Sequence, residues 1–307
     1  MQADSARASI DPGGDPQDEH GRASGGYARA GLPPGALVGV VHLGRLPGQP
    51  GSPGMAELVA RALRDLVALQ GQGPGDGVDA VLLENWEDTS PGPFVGPDSV
   101  AALTVIAREV RAAARVPVGI NVLPNDYRAA LSIAGATGLA FVQLDVFVDA
   151  VRTDYSHSDA PPFEVRVDLA DVAAWRERCH QAGGEAIALL ASIHPKHYQL
   201  LEATTLEASA GAAFAAGADA VVVTGAATGK APDPGRLRQV KAAVGARPVL
   251  LGSGLSVENA AALLPECDGA IVGTALKGAG FGPVERPRVQ RLLAARAAVP
   301  RPPARES

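Results

Sequence analysis

Cysteine, aromatic side chains, basic excess and long apolar runs are all scarce in this chain, and each scarcity excludes something. The two cysteines, Cys179 and Cys267, stand far apart, so they make neither a CxxC metal pair nor a disulfide framework. That usage suits a reducing cytosol. Aromatic residues make up only 4% of the sequence, which favours small side chains packed closely between helices and sheet. A net charge of −6, with no basic run, argues against nucleic acid or an anionic membrane as a partner. No apolar run approaches the roughly 18 residues of a membrane span. No charged segment followed by an apolar one opens the chain, and the expectation is a cytoplasmic protein.

Several motifs are missing too. There is no GxSxG elbow, no GxxxxGK[ST] loop and no GxGxxG after a first strand, so serine hydrolase, P-loop NTPase and Rossmann dehydrogenase lack their carriers. No HxH, HxxxH or HExxH pair is present, which weakens a metal-dependent hydrolase. A divalent cation such as Mg²⁺, held by Glu84, Asp145 and a substrate phosphate, stays open, because Mg²⁺ needs only one or two protein carboxylates.

What the chain does have is alternation. Residues 1–35 are rich in Gly, Pro, Asp and Ser without periodicity and read as a disordered tail; residues 299–307 read as a frayed C-terminal tail. Between them, apolar runs predict strands over Leu37–Leu43, Val78–Leu83, Val116–Val122, Ala140–Val146, Ala186–Ile193, Ala218–Val223, Val249–Leu251 and Gly269–Val272. Helical segments separate them. The runs are continuously apolar, the mark of parallel strands covered on both faces. Eight such units over residues 36–298 predict an α/β fold, a (β/α)₈ TIM barrel. The segment Phe147–Asp168, with its Pro161-Pro162 pair, predicts a lid over the mouth.

The stretch Arg247–Lys277 organises the functional reading. Two apolar runs break into Gly252-Ser253-Gly254 and Gly273-Thr274. Glycine turns after the last two strands of a barrel commonly form a phosphate site. Gly252 and Gly254 permit φ > 0, and Ser256 is placed to cap a following helix whose positive end would face an anion. One such turn alone would be a tight turn and nothing more; two in succession favour a phosphate grip.

In a barrel, catalytic groups stand at the C-terminal ends of strands. Those positions hold His42, Glu84, Asn85, Asn121, Asn125, Asp126, Gln143, Asp145, Lys196, His197, Thr224, Gly225, Thr228, Ser253, Thr274 and Lys277. Glu84 is either an acid/base group tuned by burial or one half of a salt bridge. Lys196 serves as a point charge more readily than as a Schiff-base former. His197 can move protons or bind a hydroxyl, while His42 either joins that chemistry or holds its own loop down.

These same residues resemble the BtpA/SgcQ family. The resemblance runs through Val41-His42-Leu43 with Leu46-Pro47-Gly48, Asp79-Ala80-Val81 to Glu84-Asn85, and Pro117 to Leu123 with Asn125-Asp126. It continues through Lys196-His197, Thr224-Gly225, Gly252-Ser253-Gly254 and Gly273-Thr274 to Lys277. It implies a barrel similar to those that bind ribulose phosphate and related phosphosugars. It also implies two kinds of role: a factor for accumulation of photosystem I, and enzymes encoded beside sugar-uptake genes. The chain departs from the family pattern at Pro124, Gln143, Asp145, Phe147 and Ser192, which suggests an altered substrate or a lost activity. Three readings follow. The first is an enzyme acting on a small phosphorylated metabolite, with Glu84, Lys196, His197 and Asp145 catalytic. The second is a non-catalytic assembly factor, and the third a metal-dependent hydrolase. Homo-oligomerisation is open on sequence alone.

Overall fold

Strands that are apolar on both sides must be covered on both sides, and that requirement closes the sheet on itself. The computed structural model describes residues 26–88, 92–153, 161–183, 186–225, 229–278 and 282–299. Its strands are β1 (Ala36–His42), β2 (Ala80–Glu84), β3 (Val118–Asn121), β4 (Phe141–Leu144), β5 (Val151–Thr153), β6 (Glu164–Val165), β7 (Ala188–Ile193), β8 (Tyr198–Leu200), β9 (Ala220–Val223), β10 (Val249–Leu251) and β11 (Gly269–Val272). Eight of them form a closed parallel barrel in the order β1-β11-β10-β9-β7-β4-β3-β2. The helices are α1 (Met55–Gln70), α2 (Pro97–Ala113), α3 (Tyr127–Thr137), α4 (Leu169–Gly183), α5 (Leu206–Ala215), α6 (Pro234–Val244), α7 (Ala260–Leu263) and α8 (Arg286–Ala297). The chain is a TIM barrel. Among the described residues no helix is long and apolar enough to cross a membrane.

Side chains alternate along each strand. One set packs outward against the helices, as Leu83, Ile120 and Leu144 do. The other fills the barrel interior with Val38, Val40, Leu82, Phe141, Leu190 and Val222. The interior also contains Tyr27, Ala30 and Leu32, each no more than 5% exposed, from a helical turn over residues 26–29 and the segment after it. The expected tail through residue 35 is therefore corrected: residues 26–35 belong to the barrel. Its Gly/Pro-rich composition, averaged over the segment, masks three apolar side chains. Residues 1–25 and 300–307 lie outside the described residues.

A repeated device secures the N-terminal end of the strands. Asp79, Asp219 and Asp268 precede β2, β9 and β11, and each accepts a neighbouring strand's backbone N–H, from Leu37, Leu189 and Val249 at 2.8 Å. Each also pairs with a helix-borne cation, Arg296, Arg176 and Lys241 respectively. Polar groups at this face of a barrel serve stability.

The segment expected as a lid is partly structured. β5 pairs antiparallel with β6 and with β8, which comes from the loop after β7. Val146, Val151 and Val165 form a small core there, with Phe163, Tyr198 and Leu200 against it. The middle of the expected lid, residues 154–160, lies outside the described residues.

Candidate functional site

At the C-terminal end of the barrel the interior turns polar. Strand register aligns His42 with Glu84, Glu84 with Asn121, and Asn121 with Gln143. Ser192, near the end of β7, continues the ring. Asn121 joins two carboxylates: its Nδ2 donates to Glu84 Oε2 at 3.3 Å and to Asp145 Oδ1 at 3.2 Å. Gln143 Nε2 donates to the same Asp145 oxygen at 3.2 Å. Burial, then the neighbouring Asp145 charge, raises the Glu84 carboxyl to about 7. Burial also raises Asp145, against the opposing pull of Lys196 and the two amides. His42 Nε2 lies 3.6 Å from Glu84 Oε1, and its ring meets Trp86 edge-on at 5.5 Å. Burial, reinforced by the charges of Lys277 and Lys196, holds this imidazole down at about 3, so it is neutral at physiological pH.

The loop after β7 presents Lys196 and His197 on a strained turn. His194 and His197 adopt φ values of 44° and 66°, a region that costs an L-residue energy and persists only when its surroundings hold it. The hold is visible: Asp149 accepts His194 N–H at 2.8 Å and Thr224 Oγ1 accepts Lys196 N–H at 3.2 Å.

Several residues expected to touch a ligand are instead committed to the protein. Asn85 Oδ1 accepts Leu123 N–H at 2.6 Å and its Nδ2 donates to Leu123 O at 2.9 Å. Asn125 does the same to Val146, at 2.8 and 2.9 Å. Ser253 Oγ accepts Gly225 N–H at 3.1 Å, and Gln49 Nε2 donates to Asp88 at 2.6 Å. Asp126 caps α3 through Ala129 N–H at 2.8 Å. With the Asp149 and Thr224 bonds, these clasps join each loop from the one after β1 to the one after β10. Lys277 is buried, 2% exposed, with its Nζ 3.9 Å from Asp65 on α1; burial lowers its pKa. Its charge acts on both His42 and Glu84, and its burial makes it no rim group. Thr228 lies outside the described residues.

The glycine turns also differ from expectation. Only Gly254 has positive φ, +77°. A Cβ there would strike the backbone of Lys230 and Ala231, and one on Gly273 would strike the His42 ring. These glycines are required by the approach of neighbouring protein. The helix expected near Ser256 is the single turn α7, preceded by Asn259, whose Oδ1 accepts Ser256 N–H at 2.8 Å. It is too short to add a significant dipole. Among the described residues, however, the N–H groups of Ser253, Gly254, Gly273 and Thr274 make no hydrogen bond.

Sequence reasoning overlooked Trp86, Asp149, His194 and Asp65. Asp65 alone left a signal, as an acid on the apolar face of α1 among Leu58, Ala62, Leu66 and Leu69.

A closed parallel barrel whose titratable side chains gather at the C-terminal strand ends defines the TIM-barrel class. Within it the chain belongs to the BtpA family, whose profile matches residues 34–298. An uncharacterized protein of Archaeoglobus fulgidus is 36% identical, over 84% of this chain and 97% of its own length. The photosystem I biogenesis protein BtpA of Synechocystis is 30% identical, over 80% and 81%. The sgc region protein SgcQ of Escherichia coli is 29% identical, over 80% and 87%. Two solved structures are similar in fold: thiamine phosphate pyrophosphorylase from Pyrococcus furiosus (TM-score 0.50, 15% identity, 88% of this chain and 98% of that one), and Mycobacterium tuberculosis tryptophan synthase (TM-score 0.50, 20% identity, 91% and 96%).

Proposed function

We propose that this barrel is an enzyme acting on a small phosphorylated metabolite of sugar- or nucleoside-phosphate type. The observation that carries the reading is the buried Glu84–Asn121–Asp145 cluster, in which burial and the Asp145 charge hold the Glu84 carboxyl near neutral pH, in a mouth otherwise built for rigidity. A group at about 7 exchanges a proton in either direction at working pH, which general acid–base catalysis needs. Lys196 supplies the compensating positive charge, and His197 is the neighbouring proton carrier. The free N–H groups of Ser253, Gly254, Gly273 and Thr274 supply the phosphate clamp, with Thr224 and Gly225 shaping its wall. Asp145 Oδ1 already receives two amide donors, the wrong partners for a cation. Among the described residues no three His, Cys, Asp or Glu side chains converge on a metal position, and the reading runs through no Mg²⁺.

The relationship to the Synechocystis protein supports a rival, an assembly factor without catalysis. One substitution separates the two. Phosphosugars and nucleoside monophosphates are screened by thermal shift, and the best ligand is titrated into the parent and Glu84→Gln. The enzyme reading expects affinity within about threefold and turnover reduced at least 100-fold. No stabilising phosphorylated compound, or undiminished turnover in Glu84→Gln, overturns it.

A further inference from the structure

The polar layer carries more acceptors than the protein satisfies. Asn121, Gln143 and Ser192 are 1%, 6% and 1% exposed, yet Asn121 Oδ1, Gln143 Oε1 and Ser192 Oγ have no hydrogen-bond partner among the described residues. Buried polar atoms are nearly always paired, and each exception needs a reason. The orientation of both amides is fixed, because their nitrogens already donate to Glu84 and Asp145. Their carbonyl oxygens are therefore the ends left unpaired. The unsatisfied groups at this depth are two carbonyl oxygens and a hydroxyl, set beside the carboxylate pair.

We infer that the deep end of the pocket takes the uncharged, hydroxyl-bearing end of a monophosphorylated compound, and rejects a second anionic group. The inference rests on the proposed phosphate site, which fixes the other end of the ligand. Hydroxyl groups donate to the unpartnered acceptors and accept from Ser192 in turn. A carboxylate or second phosphate would face like charge from Glu84 and Asp145 and would leave both amide oxygens unpaired. Lys277 cannot offset this, being buried against Asp65. Lys196 is one charge against two.

Matched pairs differing only at the end remote from phosphate test the point. Sorbitol 6-phosphate and 6-phosphogluconate, glycerol 3-phosphate and 3-phosphoglycerate, and inorganic phosphate are titrated into the full chain by calorimetry at pH 8. The hydroxylated member of at least one pair should bind tenfold or more tightly than its carboxylated partner and than inorganic phosphate. Ser192→Ala removes an unpartnered hydroxyl, so it should weaken that ligand at least fivefold without lowering the melting temperature. Gln143→Leu should weaken it similarly, with inorganic phosphate unaffected in both variants. Equal or tighter binding of the carboxylated members, or parental affinity in Ser192→Ala, overturns the inference and leaves the phosphate site standing. Binding of none of these compounds, inorganic phosphate included, overturns the phosphate site and the inference together.

Discussion

Glu84 keeps its proton in the folded protein up to about pH 7, against an ordinary value of 4.5. Between those values the folded state holds a proton the unfolded chain has released, so stability from this group falls as pH rises. His42 acts in the opposite sense. Its imidazole is depressed from 6.5 to about 3, so the stability it contributes is present above 6.5 and is lost as pH falls toward 3. Across pH 4.5 to 6.5 the two offset each other. Glu84→Gln removes one side of that balance. Relative to the parent it should gain up to roughly 3 kcal/mol as pH rises from 4.5 to 7.5, read by urea denaturation at several pH values; a difference that does not change with pH would show that folding leaves the Glu84 carboxyl at its ordinary value. A second residue-scale outcome concerns the anion clamp. Thr274 is exposed, so Thr274→Glu should leave the melting temperature within about 2 °C while placing a carboxylate beside the clamp. Inorganic phosphate should then bind at least tenfold more weakly by calorimetry. The positions of His42, Glu84, Asn121 and Gln143 were legible as strand ends. Asn85 was misread because parity was not applied: beside an inward Glu84, it must face its neighbours. Asn125 lies in the loop beyond β3, where no strand alternation applies.

At the scale of elements, the eight barrel strands were legible because their runs are mostly apolar, with polar residues or glycine gathered toward the end of each one. The three-stranded sheet of β5, β6 and β8 was not. Its strands are three, two and three residues long, and β8 lies on the far side of α4 and β7, beyond the reach of local periodicity. α7 was overestimated because an alanine-rich segment has helix propensity that the loop geometry around Asn259 truncates. Clasping side chains escape any periodicity argument, since their partners are backbone groups in another loop. Asn125→Ala should expose what they contribute. It leaves Val146 N–H and C=O buried without partners, which should cost about 2 to 4 kcal/mol, measured by denaturation. A loss below about 0.5 kcal/mol would show that water replaces the side chain.

For the whole molecule, the barrel is sealed at one end by its own N-terminal segment. Leu32 is 2% exposed and packs with Tyr27 and Ala30 among the interior strand residues. Leu32→Ala should therefore behave as a core truncation, costing about 3 kcal/mol and lowering the melting temperature by roughly 6 to 12 °C. A shift under 2 °C would mean the segment rests on the barrel without filling it. That seal was invisible because sequence composition reports an average, while packing needs only a few apolar side chains at the right spacing.

The clasps around the mouth also set how quickly its amide protons leave. Leu123, Val146, His194, Lys196 and Gly225 sit in loops, where amides ordinarily exchange fast, yet each donates its proton to a side chain of an adjoining loop. None is released unless two loops part, so hydrogen–deuterium exchange at the five should be slow and should respond together to a perturbation at any one. Ser253, Gly254, Gly273 and Thr274 lie where no such bond joins the loops after β10 and β11 among the described residues. Their amides should exchange freely and slow only when phosphate is added. The rim would then open as a single collar with one gap, and protection that appears there only with phosphate would mark that gap as the anion's way in.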